Sequence, residues 1–305
     1  MSALTTLSDE LSAAVAAAGR SVVAVHGGRR HPSSGVVWRA GVIVTADHGL
    51  ERDDHIGLTL PDGSDASGAL AGRDPSTDIA VLKADVGQTV VAERADGNAL
   101  RIGHLVLAVG RSGAEGLSAS MGVLSALEGA WTTWRGGRVD RFIRADVSSY
   151  PGLSGGPLAD ARGLVIGVNT SGLSRHFALT LPASTVDRVV DALLAKGRIA
   201  RGYLGVGLAP VRIPDALARS LGLQRGGGAI VVAIEPGSPA EKAGLLIGDV
   251  MVSLDGTSVG DADDIHSFLG PERVGSALAI RVVRAAALND INVTVGERSD
   301  SDDEE

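Results

Sequence analysis

The chain contains no cysteine. Disulfides, thiolate catalysis and cysteine-ligated zinc are therefore excluded, and the redox compartment is left open. Aromatic residues are scarce, at 3% against 42 glycines, a balance that favours tight turns. No apolar run approaches the length of a membrane-spanning helix, so no membrane insertion is expected. Lysine and arginine are missing before Arg20, where Asp9 and Glu10 stand instead. A secretory leader needs a basic start and a longer apolar stretch than Ala13 to Ala18 offers. The expectation is a short N-terminal helix capped by Ser8, in a cytoplasmic protein. Positive charge is also short, with a net charge of −8. Residues 297–305 hold six acids and one arginine, which leaves the body only mildly acidic. That argues against a nucleic-acid groove, and the acidic end reads as a solvated, disordered tail.

What is present is a chain of 305 residues, 44% hydrophobic, enough for two or three domains with a large core. Short β-type runs recur at Ser21–Val25, Gly35–Trp38, Gly41–Thr45, Ile56–Leu60 and Ile79–Leu82. A second group follows at Leu105–Val109, Ser118–Leu127, Phe142–Arg144, Leu164–Val168 and Phe177–Leu181. Two groups of about six strands without an internal long helix predict two packed β-barrels. Val186, Val189, Val190, Leu193 and Leu194 then form one helical stripe, with a capping box at Ser184 to Asp187 and a stop at Gly197. A mixed α/β module begins near Arg201. It carries a second capping box at Ser238 to Glu241, a strand at Val250–Leu254 and a helix over about Asp261–Leu269.

The stretch Gly152-Leu153-Ser154-Gly155-Gly156-Pro157 carries the chemistry. Its glycines allow a sharp turn in which the N–H groups of Gly152 and Ser154 converge on one point, the requirement for holding a developing oxyanion. The same hexapeptide fits a nucleophile elbow, but that motif needs a helix right after the serine and a histidine downstream. Pro157, the turn at Asp160 to Gly163 and the β-type run from Leu164 leave no room for one. A serine hydroxyl also needs a base, and the base needs a carboxylate. His48, just past the strand Val42–Thr45, is the best of seven histidines; His26, His31, His55, His104, His176 and His266 sit in loops or surface-type contexts. Asp78, opening onto the buried-type strand Ile79–Leu82, is the best carboxylate. Asp74 is the runner-up, with a turn before proline as its plain role. Asp47 is disfavoured because neighbouring side chains of extended chain point apart. The order His48, Asp78, Ser154 is that of chymotrypsin-type β-barrel proteases.

Several segments together resemble the HtrA (Deg) serine proteases. They are Ser34-Gly35-Val36-Val37, Ile43 to His48, Thr77 to Lys83, Ser154 to Leu158, Val165 to Thr170, Arg201 to Val206, Pro236 to Ala240 and Ala243 to Asp249. The resemblance implies a mostly β chain: two six-stranded chymotrypsin-like barrels followed by a small α+β PDZ domain. Expected boundaries are a protease domain over 1–182, a linker helix over 183–200, a PDZ domain over 201–297 and the tail over 298–305. The implied activity is endoproteolysis of unfolded or damaged proteins by His48, Asp78 and Ser154, without cofactor or metal. Ser148, six residues before the nucleophile, would floor the specificity pocket. In the PDZ domain, Tyr203, Leu204, Gly205 and Val206 would hold a peptide C-terminus, with Ile265 and Phe268 flanking its last side chain. The plain role for the last two is core. The family's location points instead to the cell envelope or periplasm. Its homotrimers use aromatic residues near the N-terminus, and none precedes Trp38 here. Leu153 and Tyr150 stand where the family has Asn or Asp and Asn, which bears on how readily the oxyanion loop takes its active form. The other candidates resolve plainly: Gly226 to Gly228 after Arg225 is a flexible turn without a phosphate loop's lysine, and Glu51 to His55 is a solvated loop without paired metal-ligand spacing.

Overall fold

A computed structural model describes residues 2–28, 32–111, 116–133, 135–148, 150–174, 179–200, 202–223 and 226–297. His31, His176, Arg201, Arg225, the first part of the strand expected from Phe177, the side chain of His266 and the acidic end beyond Glu297 lie outside them. The chain divides into two compact units, Met1–Ile199 and Ala200–Glu305.

The first unit opens with helix α1 (Ala3–Gly19), whose cap is Ser2 rather than Ser8. Ser2 has extended backbone and its Oγ accepts the Thr5 N–H at 3.2 Å, so the helix starts a turn and a half early and Ser8 lies inside it. Strands β1 (Val22–His26), β2 (Ser33–Arg39), β3 (Val42–Ala46), β4 (Ile56–Thr59), β5 (Asp65–Asp74) and β6 (Ile79–Ala84) close into a barrel in the order β1-β2-β3-β6-β5-β4. Closure is antiparallel: β1 pairs with β2 on one side and β4 on the other. The second barrel comprises β7 (Leu105–Arg111), β8 (Leu117–Glu128), then, after a small hairpin β9 (Trp131–Thr132) and β10 (Arg138–Val139), β11 (Phe142–Asp146), β12 (Pro157–Asp160), β13 (Val165–Thr170) and β14 (Leu179–Pro182). It closes in the order β11-β14-β13-β12-β7-β8.

Two strands escape the sequence reading, one per barrel. β5 is built from Asp, Ala, Ser, Gly, one Leu and one Arg, without a β-branched residue, and β12 is short and opens on proline. Both are recruited by their neighbours' open hydrogen-bond edges: β5 lies between β4 and β6, and Leu158 of β12 faces Ala108 and Gly167 on its two sides. Pairing context here overrides strand propensity.

Helix α2 (Ala183–Lys196), expected as a linker, is part of the first unit. Its stripe of Val186, Val189, Val190 and Leu193 is fully buried with Trp38, Val44 and Val81 of the first barrel and Val168 and Leu181 of the second. An amphipathic face of that width needs a partner surface, and the barrels supply it. The helix has no side-chain cap at its start, because it begins at Ala183. Asp187, expected in a capping box, instead accepts from Trp38 Nε1 at 2.8 Å. Gly197 ends the helix as expected, at φ 74° with its N–H bonded to Leu193 O at 2.8 Å.

The second unit holds a sheet running Val206–Arg212, Gly227–Ile234, Val250–Leu254, Ala277–Arg284 and Ala287–Thr294. Helices Pro239–Ala243 and Ala262–Phe268 accompany it, and Ser238 caps the first by accepting the Glu241 N–H at 3.2 Å.

Leu193→Ala should cost about 2–5 kcal/mol of unfolding free energy by opening a cavity beneath α2. Denaturant titration of the full chain measures it, and a loss below about 0.5 kcal/mol would mean the helix is not integral to the barrels.

Candidate active site

Each barrel supplies half of the site. In the first, β3 runs into a single 3-10 turn, Asp47–Gly49, which carries His48 clear of the sheet. Asp78 precedes β6 with φ 56°, a left-handed conformation that aspartate tolerates better than most residues. That backbone turns both carboxylate oxygens toward the histidine. Oδ1 accepts the His48 backbone N–H at 2.9 Å and Oδ2 lies 2.7 Å from His48 Nδ1. Asp78 is almost fully buried, at 3%, whereas the imidazole remains 39% exposed and so open to a substrate. The pair holds His48 in the tautomer with Nδ1 protonated, leaving Nε2 as an acceptor.

The second barrel supplies the serine. Gly152 takes φ 92°, within the turn that links Tyr150 to β12. Leu153 N–H bonds Tyr150 O, Gly155 N–H bonds Asn169 O and Gly156 N–H bonds Leu153 O. Among the described residues no acceptor takes the N–H of Gly152 or of Ser154, and these are the two donors expected to face an oxyanion. The Leu153 side chain is 2% exposed and packs into the core of the second barrel with Val106, Leu124, Leu158 and Ile166. An apolar residue before the nucleophile thus anchors the turn.

Ser34 of β2 joins the halves. Its N–H donates to Ser154 O at 3.0 Å, its Oγ donates to Gly152 O at 2.5 Å, and its Oγ accepts the Arg111 N–H at 2.8 Å. Two carbonyls of the Ser154 turn are therefore pinned by one residue of the opposite barrel. Neither this role nor that of the segment after β13 was read from the sequence. Thr170 Oγ1 donates to Asp78 Oδ2, and Gly172 N–H donates to Thr170 Oγ1 at 2.9 Å. Gly172 has no room for a side chain: a Cβ there would lie 2.6 Å from Asp78 Oδ2 and 2.8 Å from His48 Nδ1. The available signal was a polar trio, Asn169-Thr170-Ser171, closing an otherwise apolar strand.

The rejected candidates are employed elsewhere. Asp74 accepts from Ser76 N–H and Oγ and from Thr77 Oγ1, so it builds the turn that leads to Asp78. His26 Nε2 lies 2.9 Å from Thr59 Oγ1 on the surface of the first barrel. His55 and His104 are exposed. Asp47 is buried beneath His48, with Oδ1 3.1 Å from Arg73 Nε but not aligned for a hydrogen bond. Ser148 is exposed, and its N–H donates to Ser120 Oγ at 3.0 Å. In the second unit, Ile265 is fully enclosed by the core and Phe268 is half-buried with the Arg273 guanidinium 4.3 Å over its ring. Leu204 is buried, Gly205 takes φ 75°, and the Tyr203 hydroxyl bonds Glu235.

Electrostatics suit the histidine to proton transfer. The hydrogen bond to Asp78 holds His48 above its ordinary value of 6.5, with burial pulling the other way. Burial lifts Asp47 to about 6, against the pull of Arg73.

Two closed barrels with this constellation across their seam define a chymotrypsin-type peptidase fold. Residues 33–168 match the trypsin-like peptidase domain family and residues 202–295 the PDZ domain family. A solved structure of the HtrA-type protease AlgW with a tripeptide is 30% identical, with a TM-score of 0.75 over 96% of this chain and 99% of that one. The serine endoprotease from Yersinia pestis is 25% identical, with a TM-score of 0.75 over 95% and 98%. A probable periplasmic serine endoprotease, DegP-like, from Brucella suis is 36% identical over 272 residues, covering 85% of this chain and 51% of that protein. Its namesake from Halomonas elongata is 33% identical over 279 residues, covering 90% and 58%. The chain spans about half the length of these curated relatives. It belongs to the HtrA-type serine protease family.

Gly172→Ala should push the imidazole off Asp78 and return the His48 pKa toward 6.5, because the largest influence raising it is lost. The imidazole proton shifts in an NMR titration follow this directly, and an unmoved midpoint would show that the pocket absorbs the added methyl.

Proposed function

We propose that the chain is a serine endopeptidase that cuts unfolded or damaged proteins and recognises peptide C-termini or extended segments through its PDZ domain. The observation that carries this reading is the His48–Asp78 pair facing a serine beside two backbone N–H donors that have no acceptor among the described residues. Ser154 Oγ attacks the peptide carbonyl carbon while its proton passes to His48 Nε2. Negative charge moves onto the carbonyl oxygen, which Gly152 N–H and Ser154 N–H receive. Collapse breaks the C–N bond, His48 returns the proton to the departing amine, and an acyl ester remains on Ser154. Water then attacks that ester with His48 again as base, releasing the acid and restoring the serine. Asp78 keeps the imidazole oriented and stabilises its charged form throughout.

Peptide recognition by the second unit is supported by the strand Val206–Arg212, which ends the sheet path and pairs only with Gly227–Ile234 among the described residues. A free edge beside the Tyr203–Val206 loop suits strand addition. We read Phe268, rather than the enclosed Ile265, as the side chain available to a ligand's last residue. The periplasmic names of the relatives support a cell-envelope location in place of the cytoplasmic expectation. The alternative is a peptide-binding scaffold without proteolysis. It is favoured by one observation: among the described residues no hydrogen bond joins Ser154 Oγ to His48.

Ser154→Ala should lower casein degradation by about 10⁴-fold or more and abolish fluorophosphonate labelling. A wild-type chain that neither labels at Ser154 nor degrades casein would establish the scaffold instead. Because His48 must be neutral to act, hydrolysis should fall as pH drops through a midpoint above 6.5. A rate profile with its acid limb centred below that value would contradict the Asp78 pairing. With Ser148 uncharged, cleavage after small or branched aliphatic residues should exceed cleavage after Lys or Arg in a peptide library.

A further inference from the structure

Between the base and the nucleophile stands a third hydroxyl. Ser171 follows the last residue of β13 and is solvent-exposed. Its Oγ lies 3.0 Å from Ser154 Oγ and 3.5 Å from His48 Nε2, and its backbone N–H points at Ser154 Oγ at 3.3 Å. No direct Ser154–His48 hydrogen bond occurs among the described residues.

Hydrogen-bond direction follows from the tautomer. His48 uses its Nδ1 proton on Asp78, so Nε2 can only accept while the ring is neutral. Ser171 O–H is the donor in reach of it. The Ser171 oxygen is then free to accept the Ser154 proton, while Ser171 N–H occupies a lone pair of Ser154 Oγ. Both contacts lower the reactivity of Ser154: its proton is aimed away from the base, and its electron density is engaged. Transfer of the proton through Ser171 is poorly served, since the 3.5 Å separation from Nε2 is at the limit for a hydrogen bond.

We propose that Ser171 is a positioning residue that holds Ser154 in a reserve orientation, from which a substrate must release it to reach His48. The inference rests on the endopeptidase reading for its rate consequence, but the hydrogen bond to His48 can be measured without it. On release, Ser154 turns about its Cα–Cβ bond so that its O–H meets Nε2. The proton then moves from Ser154 to His48 as the Oγ–carbonyl bond forms, and Ser171 neither gains nor loses a proton. The other charged groups around the ring are Asp78 from the β5–β6 link, Asp47 from its own turn and Arg135 from the β9–β10 link. None of them contacts Ser154 Oγ.

The test compares the wild type with Ser171→Ala and Ser171→Thr in the full chain. Ser171 is exposed, so the alanine variant should fold, and thermal melting checks this. Fluorophosphonate labelling of Ser154 should run about three- to tenfold faster in the alanine variant, the factor that one net hydrogen bond represents. Measured by NMR in the Ser154→Ala background, where no serine hydroxyl can take its place, loss of the Ser171 hydroxyl should move the His48 midpoint up, because a donor that stabilised the neutral ring is gone. The threonine variant keeps the hydroxyl and should retain the wild-type midpoint. Slower labelling in the alanine variant would show that Ser171 assists the transfer, and equal rates with an unmoved midpoint would show it idle; either result overturns the proposal. If the wild type is not labelled at all, the endopeptidase reading fails on its own. NMR titration of His48 then decides: an upward shift on adding Ser171→Ala to Ser154→Ala sustains the Ser171–His48 bond, and no shift removes it.

Discussion

The candidate site depends on two independently closed barrels being held in register, and Ser34 does so beside Ser154. A main-chain N–H and a hydroxyl from β2 take two carbonyls of the Ser154 turn, those of Ser154 and Gly152. Fixing those carbonyls fixes the peptide planes that also carry the Leu153 and Gly155 N–H groups, and with them the backbone on both sides of the Ser154 N–H. The hydroxyl is itself held by the Arg111 N–H from β7. A short side chain is needed here, since neither partner lies more than 3 Å from it. The barrel that carries His48 thereby also shapes the turn of the barrel that carries Ser154.

The histidine is held on three sides. Asp78 takes its Nδ1 and its backbone N–H, the first through a carboxylate placed by a left-handed backbone. Thr170 from the second barrel satisfies the same carboxylate, and Gly172 lies flat against the pair. Beside them, the buried Asp47 pairs with the half-exposed Arg73, and the Asp47 N–H donates to Asp78 O at 3.2 Å. The negative charge of Asp47 adds to that of Asp78 in favouring the imidazolium, while Arg135 opposes it. The charges around the ring thus favour its protonated form on balance.

The sequence made the three principal side chains legible because each sits at a junction between a strand pattern and a turn signal. Sequence also showed the number of strands expected in each barrel, though not all of them. β5 and β12 are hidden because their residues are small or their length is short, and only the neighbouring edges define them as strands. Helix α2 was visible from its stripe, but a stripe does not say what covers it; the barrels do. Both misplaced caps have one cause. Ser8 and Ser184 satisfy a local rule, yet the helices begin upstream, where the chain leaves Ser2 and Pro182 in extended conformation. Ser34, Thr170, Ser171 and Gly172 stayed unseen because their roles are tertiary. Each acts on an atom more than fifteen residues away, at distances that no local pattern encodes.

Leu153 has a consequence for how such a chain can change over time. The residue that immediately precedes Ser154 is a member of the second barrel's interior. A larger or smaller side chain at Leu124, Leu158 or Ile166 would shift the anchor on which the serine's own peptide group hangs. Mutations in that interior and mutations near the serine therefore cannot be selected independently, and lineages should accumulate them in compensating sets.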